Sequence, residues 1–467
     1  MALIGLGYLL SLTPGHALIP DDYAAYIMHA ANVVEGRPYS EIKFIANPDA
    51  MWMGPAEGYP PIYPLMLAPV YKFLGVNFRA MKVITVACFV IFLILFLRLI
   101  DPILSRYGQI CLLLIIALHP FFLEYGDYVL SEMPYLMFSF AVLLMIEICY
   151  QHLDVNEWRF TQALFLAVLI YCAYGTRTIG ITLLAAMGLM DLVRFKRPSR
   201  FFCAVLFLTL SFVAIQMKAL TAPHTYVKLT NFSPGAVAEQ FMVYSKRLSY
   251  VWANGWSRLF QIWVALVMTA FAAAGFVRAL WLRRSATEFY LLVYLGVLAV
   301  YTVNLYDRGL LPILPLYFLY AFEGVLLLAG KLSRQLRFGL AGALALILIV
   351  AYVGDYQARL RARPGPNTED IDFKEMCAFI RENTAPSDVV AFPKPRSLTL
   401  FTNRPAAGLG WDETPAQAAR FLRDVPVGIV VEAGWQHSFW EDAVVNEGNS
   451  RLIYRNSSYK VLRMKGM

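Results

Sequence analysis

Long apolar runs recur along this chain, separated by short polar or charged stretches. A helix that crosses the hydrocarbon core of a bilayer needs about 20 predominantly apolar residues. Segments of roughly that kind are predicted at about 1–14, 80–100, 107–123, 130–150, 160–175, 178–193, 201–221, 257–280, 287–305, 309–330 and 338–355. The pattern therefore predicts an α-helical polytopic membrane protein with about eleven transmembrane helices. The first segment is shorter than the rest and starts at Met1 with no basic residue before it. It is read as part of a first helix that begins upstream. The alternative, a signal peptide, lacks a positive n-region and has a poor cleavage context around Ala17.

Past residue 355 the pattern changes. Residues 356–366 (YQARLRARPGP) read as a basic, proline-containing linker. A helix is expected over about 369–383, a strand at Asp388–Phe392, a helix over about 415–424, an apolar strand at Val425–Val431, and β-type stretches at Leu452–Tyr454 and Tyr459–Leu462. Strands alternating with helices point to a small α/β domain. The expected organisation is thus a membrane domain (1–355, with a first outer loop at 15–79), the linker, and a soluble α/β domain (367–467). No glycine-rich phosphate fingerprint accompanies the strands, and no internal repeat is visible.

Composition agrees. Of 467 residues 59% are hydrophobic and 15% charged, against about 25% charged in soluble domains. The net charge is +8, but its distribution argues against a nucleic-acid partner. The basic residues cluster in alternate loops: Arg98 and Arg106, Arg159, then Arg194, Lys196, Arg197 and Arg200, then Arg278, Arg283 and Arg284, then Lys331, Arg334 and Arg337. By the positive-inside rule that side is cytoplasmic. The first loop, residues 222–256 and the tail then share the extracytoplasmic side. With no retention signal or lipidation motif, the cell inner membrane is the expected location. The six cysteines fall mostly inside apolar segments without a CxxC pair, so neither a zinc site nor a disulfide framework is read from them.

Candidate chemistry gathers at the outer ends of the spans. Asp21 and Asp22 follow Pro20 and open an amphipathic segment, Tyr23 to Val34. Acids at a helix start are favoured by capping and by the helix dipole; the functional alternative is a carboxylate that takes a proton from an attacking hydroxyl. Glu57-Gly58-Tyr59-Pro60-Pro61 precedes an interfacial helix over Ile62–Leu74. Glu124 and Asp127 precede Ser131-Glu132-Met133-Pro134, where Glu132 lies inside an apolar run. A carboxylate at membrane depth is costly and is a functional candidate by default. Arg177 and the Asp307-Arg308 pair are outer-side arginines, against the positive-inside tendency, and an anionic lipid phosphate gives them a partner. Carboxylates to activate an acceptor and arginines to hold a phosphate are the minimum set for moving a sugar off a lipid phosphate. A divalent metal (Mg, Mn or Zn) has Glu57 and Glu132 as candidate ligands.

On these residues the chain resembles the GT-C membrane glycosyltransferases, in the branch of protein O-mannosyltransferases and the aminoarabinose transferase of lipid A. The resemblance covers about residues 1–355. It rests on Asp21-Asp22, the YPPIYPLMLAPVYKFLG segment, the SEMP element, Arg177 and the RGLLPILP segment. It implies an inverting transferase that uses a polyprenyl-phosphate sugar on the extracytoplasmic side, with a lipid, glycan or protein hydroxyl as acceptor and membrane lipids around it. It assigns Asp21, Asp22 and Glu132 to catalysis, Asp21 as base. Glu57, Tyr59, Arg177 and Arg308 are assigned to substrate binding. Two departures are visible. Tyr59 stands where a lysine is common before Pro-Pro, and the family's metal-binding histidine has no clear counterpart, His224 being merely in the corresponding loop. A transporter or flippase is the alternative, disfavoured because no repeat appears and the polar residues sit at outer span ends. A non-catalytic scaffold is a further alternative, with little need for acids on one face.

Overall fold

The computed structural model describes residues 1–47, 59–152, 159–220, 230–253, 256–301, 306–330, 332–361, 365–408, 417, 420, 421, 424–435 and 450–464. Its first part is a helical bundle: α1 (Ala2–Leu10), α2 (Asp22–Glu35), α3 (Ile62–Leu74), α4 (Phe78–Ile100), α5 (Arg106–Ala117), α6 (Pro120–Gly126), α7 (Glu132–His152), α8 (Phe160–Thr176), α9 (Ile181–Phe195), α10 (Arg200–Leu220), α11 (Pro234–Ala253), α12 (Arg258–Leu282), α13 (Ala286–Val300), α14 (Leu314–Gly330) and α15 (Arg334–Arg361). The chain is a multi-pass membrane protein.

Each of the expected spans falls on a helix, but they are not equal. Among the described residues seven helices are long and apolar enough to cross a bilayer: α4, α7, α9 with its lead-in turn, α10, α12, α14 with its lead-in, and α15. The span expected over 107–123 is α5 and α6, bent by 58° between them. Pro120 opens α6, with the His119 ring accepting from Phe121 N–H, so the bend falls where proline removes a helix donor. α1, α8 and α13 are short, at 9, 17 and 15 residues. α8 and α13 stop early because the backbone turns extended at Arg177 (φ −146°, ψ 128°) and at Tyr301 (φ −84°, ψ 115°). Non-helical backbone at membrane depth is tolerated where protein buries it or it lines a polar cavity.

Close packing of the spans uses small residues. A Cβ on Gly275 of α12 would lie 2.0 Å from the Tyr320 carbonyl oxygen, and one on Gly324 of α14 would lie 2.0 Å from that of Phe271. Lipid tails are as apolar as leucine, so helices associate in the bilayer largely through such backbone approach.

The tail adds α16 (Ile371–Asn383) and α17 (Pro395–Thr402) to a six-stranded sheet. Its strands are β1 (Phe44–Ile45), β2 (Val389–Phe392), β3 (Ala406–Gly408), β4 (Val427–Ala433), β5 (Ser450–Arg455) and β6 (Tyr459–Met464), in the order β1-β3-β2-β4-β6-β5. β1, β3, β2 and β4 run parallel, and β6 is antiparallel to both β4 and β5. β2 is buried throughout, as a covered parallel strand must be. The helix expected over about 415–424 falls mostly outside the described residues, and β3 and α17 are additions to the expected elements.

The sheet is not made from the tail alone. β1 comes from the first loop, pairing Phe44 with Ala406 and Ile45 with Ala407. The chain on either side is zipped as well: Leu18 N–H donates to the Pro366 carbonyl (2.8 Å) and Thr368 N–H to that of His16 (2.9 Å). Leu18 is itself part of the core under α16. This explains why α2, which reads as amphipathic, buries residues all round, from Tyr23 to Asn32. Its polar face meets the loop and the tail instead of water. There His29 and Asn32 spend their side chains on the carbonyls of Tyr39 and Glu41.

Candidate active site

The acid pair sits at the start of α2, beneath the sheet. Asp21 is the N-cap residue, yet its side chain makes no capping hydrogen bond. A capping aspartate contributes about 1 kcal/mol, and here that contribution is forgone because the carboxylate is turned toward the tail. Arg396 Nη1 lies 3.5 Å from Asp21 Oδ1, and Arg396 N–H lies 3.4 Å from Oδ2. Asp22, the next residue, takes different hydrogen-bond partners. Its Oδ2 accepts from Arg308 Nη1 at 2.5 Å and its Oδ1 from the Tyr59 hydroxyl at 2.5 Å.

Glu132, at the first turn of α7, carries the network onward. Its Oε1 accepts from Arg308 Nε at 2.5 Å and from Arg177 Nη1 at 2.6 Å. Its Oε2 is buried and has no hydrogen-bond partner among the described residues. The result is a continuous line, Asp22–Arg308–Glu132–Arg177, drawn from α2, the lead-in to α14, α7 and the α8–α9 turn. Glu132 is sealed, whereas the side chains of Asp22, Arg177 and Arg308 remain 14–18% exposed. Both arginines are thus partly exposed while each is bound by a carboxylate.

Local sequence explains the placement of each group. Arg177 projects because α8 ends at it and a 3-10 turn (Thr178–Gly180) begins. Gly180 is required there, since a Cβ would lie 2.6 Å from the Tyr174 nitrogen and the Ala173 carbonyl carbon. Arg308 sits in a second 3-10 turn (Tyr306–Gly309), whose Gly309 carbonyl is held by the Tyr294 hydroxyl at 3.0 Å. Tyr59 is clamped from behind, its N–H donating to His29 Nε2 at 3.2 Å. The Tyr26 ring packs on Tyr59 and Tyr63, and its hydroxyl meets Ser131 Oγ at 2.9 Å. Tyrosines suit this position, with apolar bodies packed in the bundle and hydroxyls held by polar partners.

The two aspartates are driven apart in acidity. Burial raises the pKa of Asp21 above its ordinary 3.8, and the charges of Arg396 and Lys394 only partly offset it. Burial acts on Asp22 as well, but Arg308 and Arg396, with hydrogen bonds from Tyr59 and Arg308, prevail and lower it to about 2. Neighbouring acids with diverging pKa values are the pattern from which acid–base roles are read. Asp22 is favoured as the anion, whereas burial favours the neutral form of Asp21. His16 and His29 are depressed by burial, to about 3 and about 4, and act as neutral struts. His16 holds the Ala17 carbonyl and the Val129 N–H.

Of the sequence-derived site residues, the structure brings together Asp21, Asp22, Tyr59, Glu132, Arg177 and Arg308. Tyr59 meets the acid pair at Asp22. Glu57 and His224 lie outside the described residues. Glu124 and Asp127 serve elsewhere: Glu124 pairs with Arg359, and Asp127 with the buried Lys82, which also holds Thr13 and Gly15. Sequence reading missed Lys394 and Arg396. Their signal is the PKPR run at the carboxyl end of parallel strand β2, the end at which open α/β sheets place functional groups.

A divalent metal fits these residues poorly. Among the described residues no three His, Cys, Asp or Glu side chains come together as a ligand set. A cation beside Glu132 would also face two guanidiniums.

No protein-family model matches the chain. No curated protein matches it either. Solved structures do. ArnT from Cupriavidus metallidurans bound to undecaprenyl phosphate is similar with a TM-score of 0.61 at 11% identity, over 99% of this chain and 96% of that one. The archaeal oligosaccharyltransferase AglB from Archaeoglobus fulgidus, in complex with an inhibitory peptide and a dolichol-phosphate, gives 0.58 at 11% identity, over 92% of this chain and 69% of that one. Another structure of the Archaeoglobus fulgidus oligosaccharyltransferase is a complex with Zn and sulfate. The arabinofuranosyltransferase AftD from Mycobacteria gives 0.50 at 12% identity, over 100% of this chain and 40% of that one. These likenesses establish the fold, that of the GT-C membrane glycosyltransferases.

Proposed function

We propose that this protein is an inverting glycosyltransferase that moves a sugar from a polyprenyl-phosphate donor to a hydroxyl acceptor. The observation that carries the proposal is the Asp22–Arg308–Glu132–Arg177 line at the outer ends of the spans, with Asp21 beside it. The similar folds solved with undecaprenyl phosphate and dolichol-phosphate support the class of donor.

The donor phosphate lies at the exposed faces of Arg177 and Arg308, with its tail in the bilayer. The two arginines are aimed beforehand, since Glu132 and Asp22 fix their forks, and prearranged charge is effective where charge develops in the transition state. The acceptor hydroxyl gives its proton to Asp21 as its oxygen bonds to the anomeric carbon. The bond from that carbon to the phosphate oxygen breaks, and its electron pair stays on the phosphate. The leaving phosphate gains one negative charge, which the arginines stabilise. Attack from the side opposite the leaving group inverts the anomeric centre. Asp22 orients Arg308 and takes no proton. Glu57 is proposed to join the donor side, and any divalent metal to draw on it; no step above depends on either.

The alternation of basic loops supports an orientation with the site and the tail outside the cytoplasm, in the inner membrane. The test is purified protein in liposomes given polyprenyl-phosphate sugars and a hydroxyl acceptor. Release of polyprenyl phosphate with an inverted product supports the proposal. A product with retained configuration, or no donor consumption by folded protein, contradicts it.

A further inference from the structure

The tail reaches the acid pair through one short run. β2 ends at Phe392, and Lys394-Pro395-Arg396 follows as the chain enters α17. Pro395 opens that helix, so the Arg396 N–H is one of the first-turn donors that no helix carbonyl can satisfy. It is directed at Asp21 Oδ2, 3.4 Å away. The Arg396 side chain is 1% exposed and lies over the Phe44 ring at 4.2 Å and the Tyr59 ring at 5.6 Å. Both rings belong to the first loop. A guanidinium sealed this way, against two aromatic faces and beside the Asp21 carboxylate, is held far more firmly than a surface arginine.

We infer that Arg396, assisted by Lys394, is a positioning residue for Asp21, and that the tail is a working part of the active site and not an appended module. The inference rests on the glycosyltransferase reading, in which Asp21 is the base. Its basis is geometric. The backbone N–H and the guanidinium of one tail residue address both oxygens of Asp21, and the β1–β3 pairing fixes that tail against the first loop. The groups facing Asp21 are Arg396 and Lys394 from the tail, Asp22 on its own helix, and Tyr23, whose hydroxyl burial keeps protonated. Burial and Asp22 favour the neutral acid; the two tail cations oppose them. Removing a tail cation therefore makes Asp21 harder to ionise and withdraws the base at a given pH.

The experiment is a pH titration of the Asp21 carboxyl by infrared difference spectroscopy on the full chain. The band is assigned by its loss in Asp21→Asn. Alongside it, the pH dependence of donor turnover is measured in Arg396→Gln, Arg396→Lys and Lys394→Gln. Arg396→Gln is expected to move the Asp21 midpoint, and with it the acid limb of kcat, upward by about 1–3 units, with the donor KM unchanged. Arg396→Lys restores most of the shift, and Lys394→Gln gives a smaller upward shift. Lys394→Gln also carries the test should Arg396→Gln not fold. Unmoved midpoints overturn the inference, as does a uniform loss of rate with an unshifted limb, the signature of a structural latch. A midpoint that moves in a protein consuming no donor refutes the glycosyltransferase reading and leaves the Arg396–Asp21 coupling standing.

Discussion

Asp22 and Arg308 stand 286 positions apart in the chain, and Arg308 Nη1 donates to Asp22 Oδ2 across 2.5 Å. This bond joins the start of α2 to the lead-in of α14. Because Nε of the same guanidinium reaches Glu132, the geometry needs a planar fork and not merely a positive charge.

Replacing Arg308 therefore distinguishes fork from charge. Arg308→Gln leaves Asp22 and Glu132 without the cation between them and removes the proposed phosphate contact, and its rate of donor consumption is expected to fall by about 100-fold or more. Arg308→Lys keeps the charge and loses one of the two contacts, so it falls less but stays well below wild type. Initial rates at saturating donor, with thermal unfolding as the control for folding, check both.

The acids give opposite pH signatures. The pKa of Asp22 is lowered to about 2 in the folded protein, against about 3.9 in an unfolded chain. Its stabilising contribution is complete above the unfolded value and is lost as pH falls toward 2. Asp21 is raised, so its ionised form costs stability and appears only above the ordinary aspartate range. Activity is thus expected to have an acid limb above 3.8, while the contribution of Asp22 to stability is still intact. Parallel pH profiles of kcat and of the unfolding temperature check the separation.

The α12–α14 contact makes a prediction about folding. Gly275→Leu forces a side chain onto the Tyr320 carbonyl and is expected to destabilise the protein by about 1–3 kcal/mol or more. Gly296→Ala on α13, where a Cβ meets nothing within 4 Å, is expected to change little. Unfolding temperature and monodispersity in detergent read the difference.

The bundle was legible in the sequence because apolar runs and alternating basic loops report directly on the bilayer. Glu132, Arg177 and Arg308 stand out as candidates for a related reason: a charge in or beside an apolar run is costly, and the structure brings the three together. The same signal fails for Arg396. In a polar α/β domain one more arginine is unremarkable, and nothing local tells that it is 1% exposed. The pairing of β1 with β3 was hidden because two residues of strand, Phe44 and Ile45, carry no periodicity. The different partners of Asp21 and Asp22 were hidden too, since adjacent identical residues differ only in what the rest of the chain brings to them.

The most direct measurement is the release of polyprenyl phosphate from a polyprenyl-phosphate sugar, in liposomes, by wild type and by Asp21→Asn. Turnover by wild type is predicted, with a loss of about 100- to 10,000-fold in the variant while the protein remains folded. Full activity in a folded Asp21→Asn protein, or no turnover by wild type with any such donor, would contradict the account.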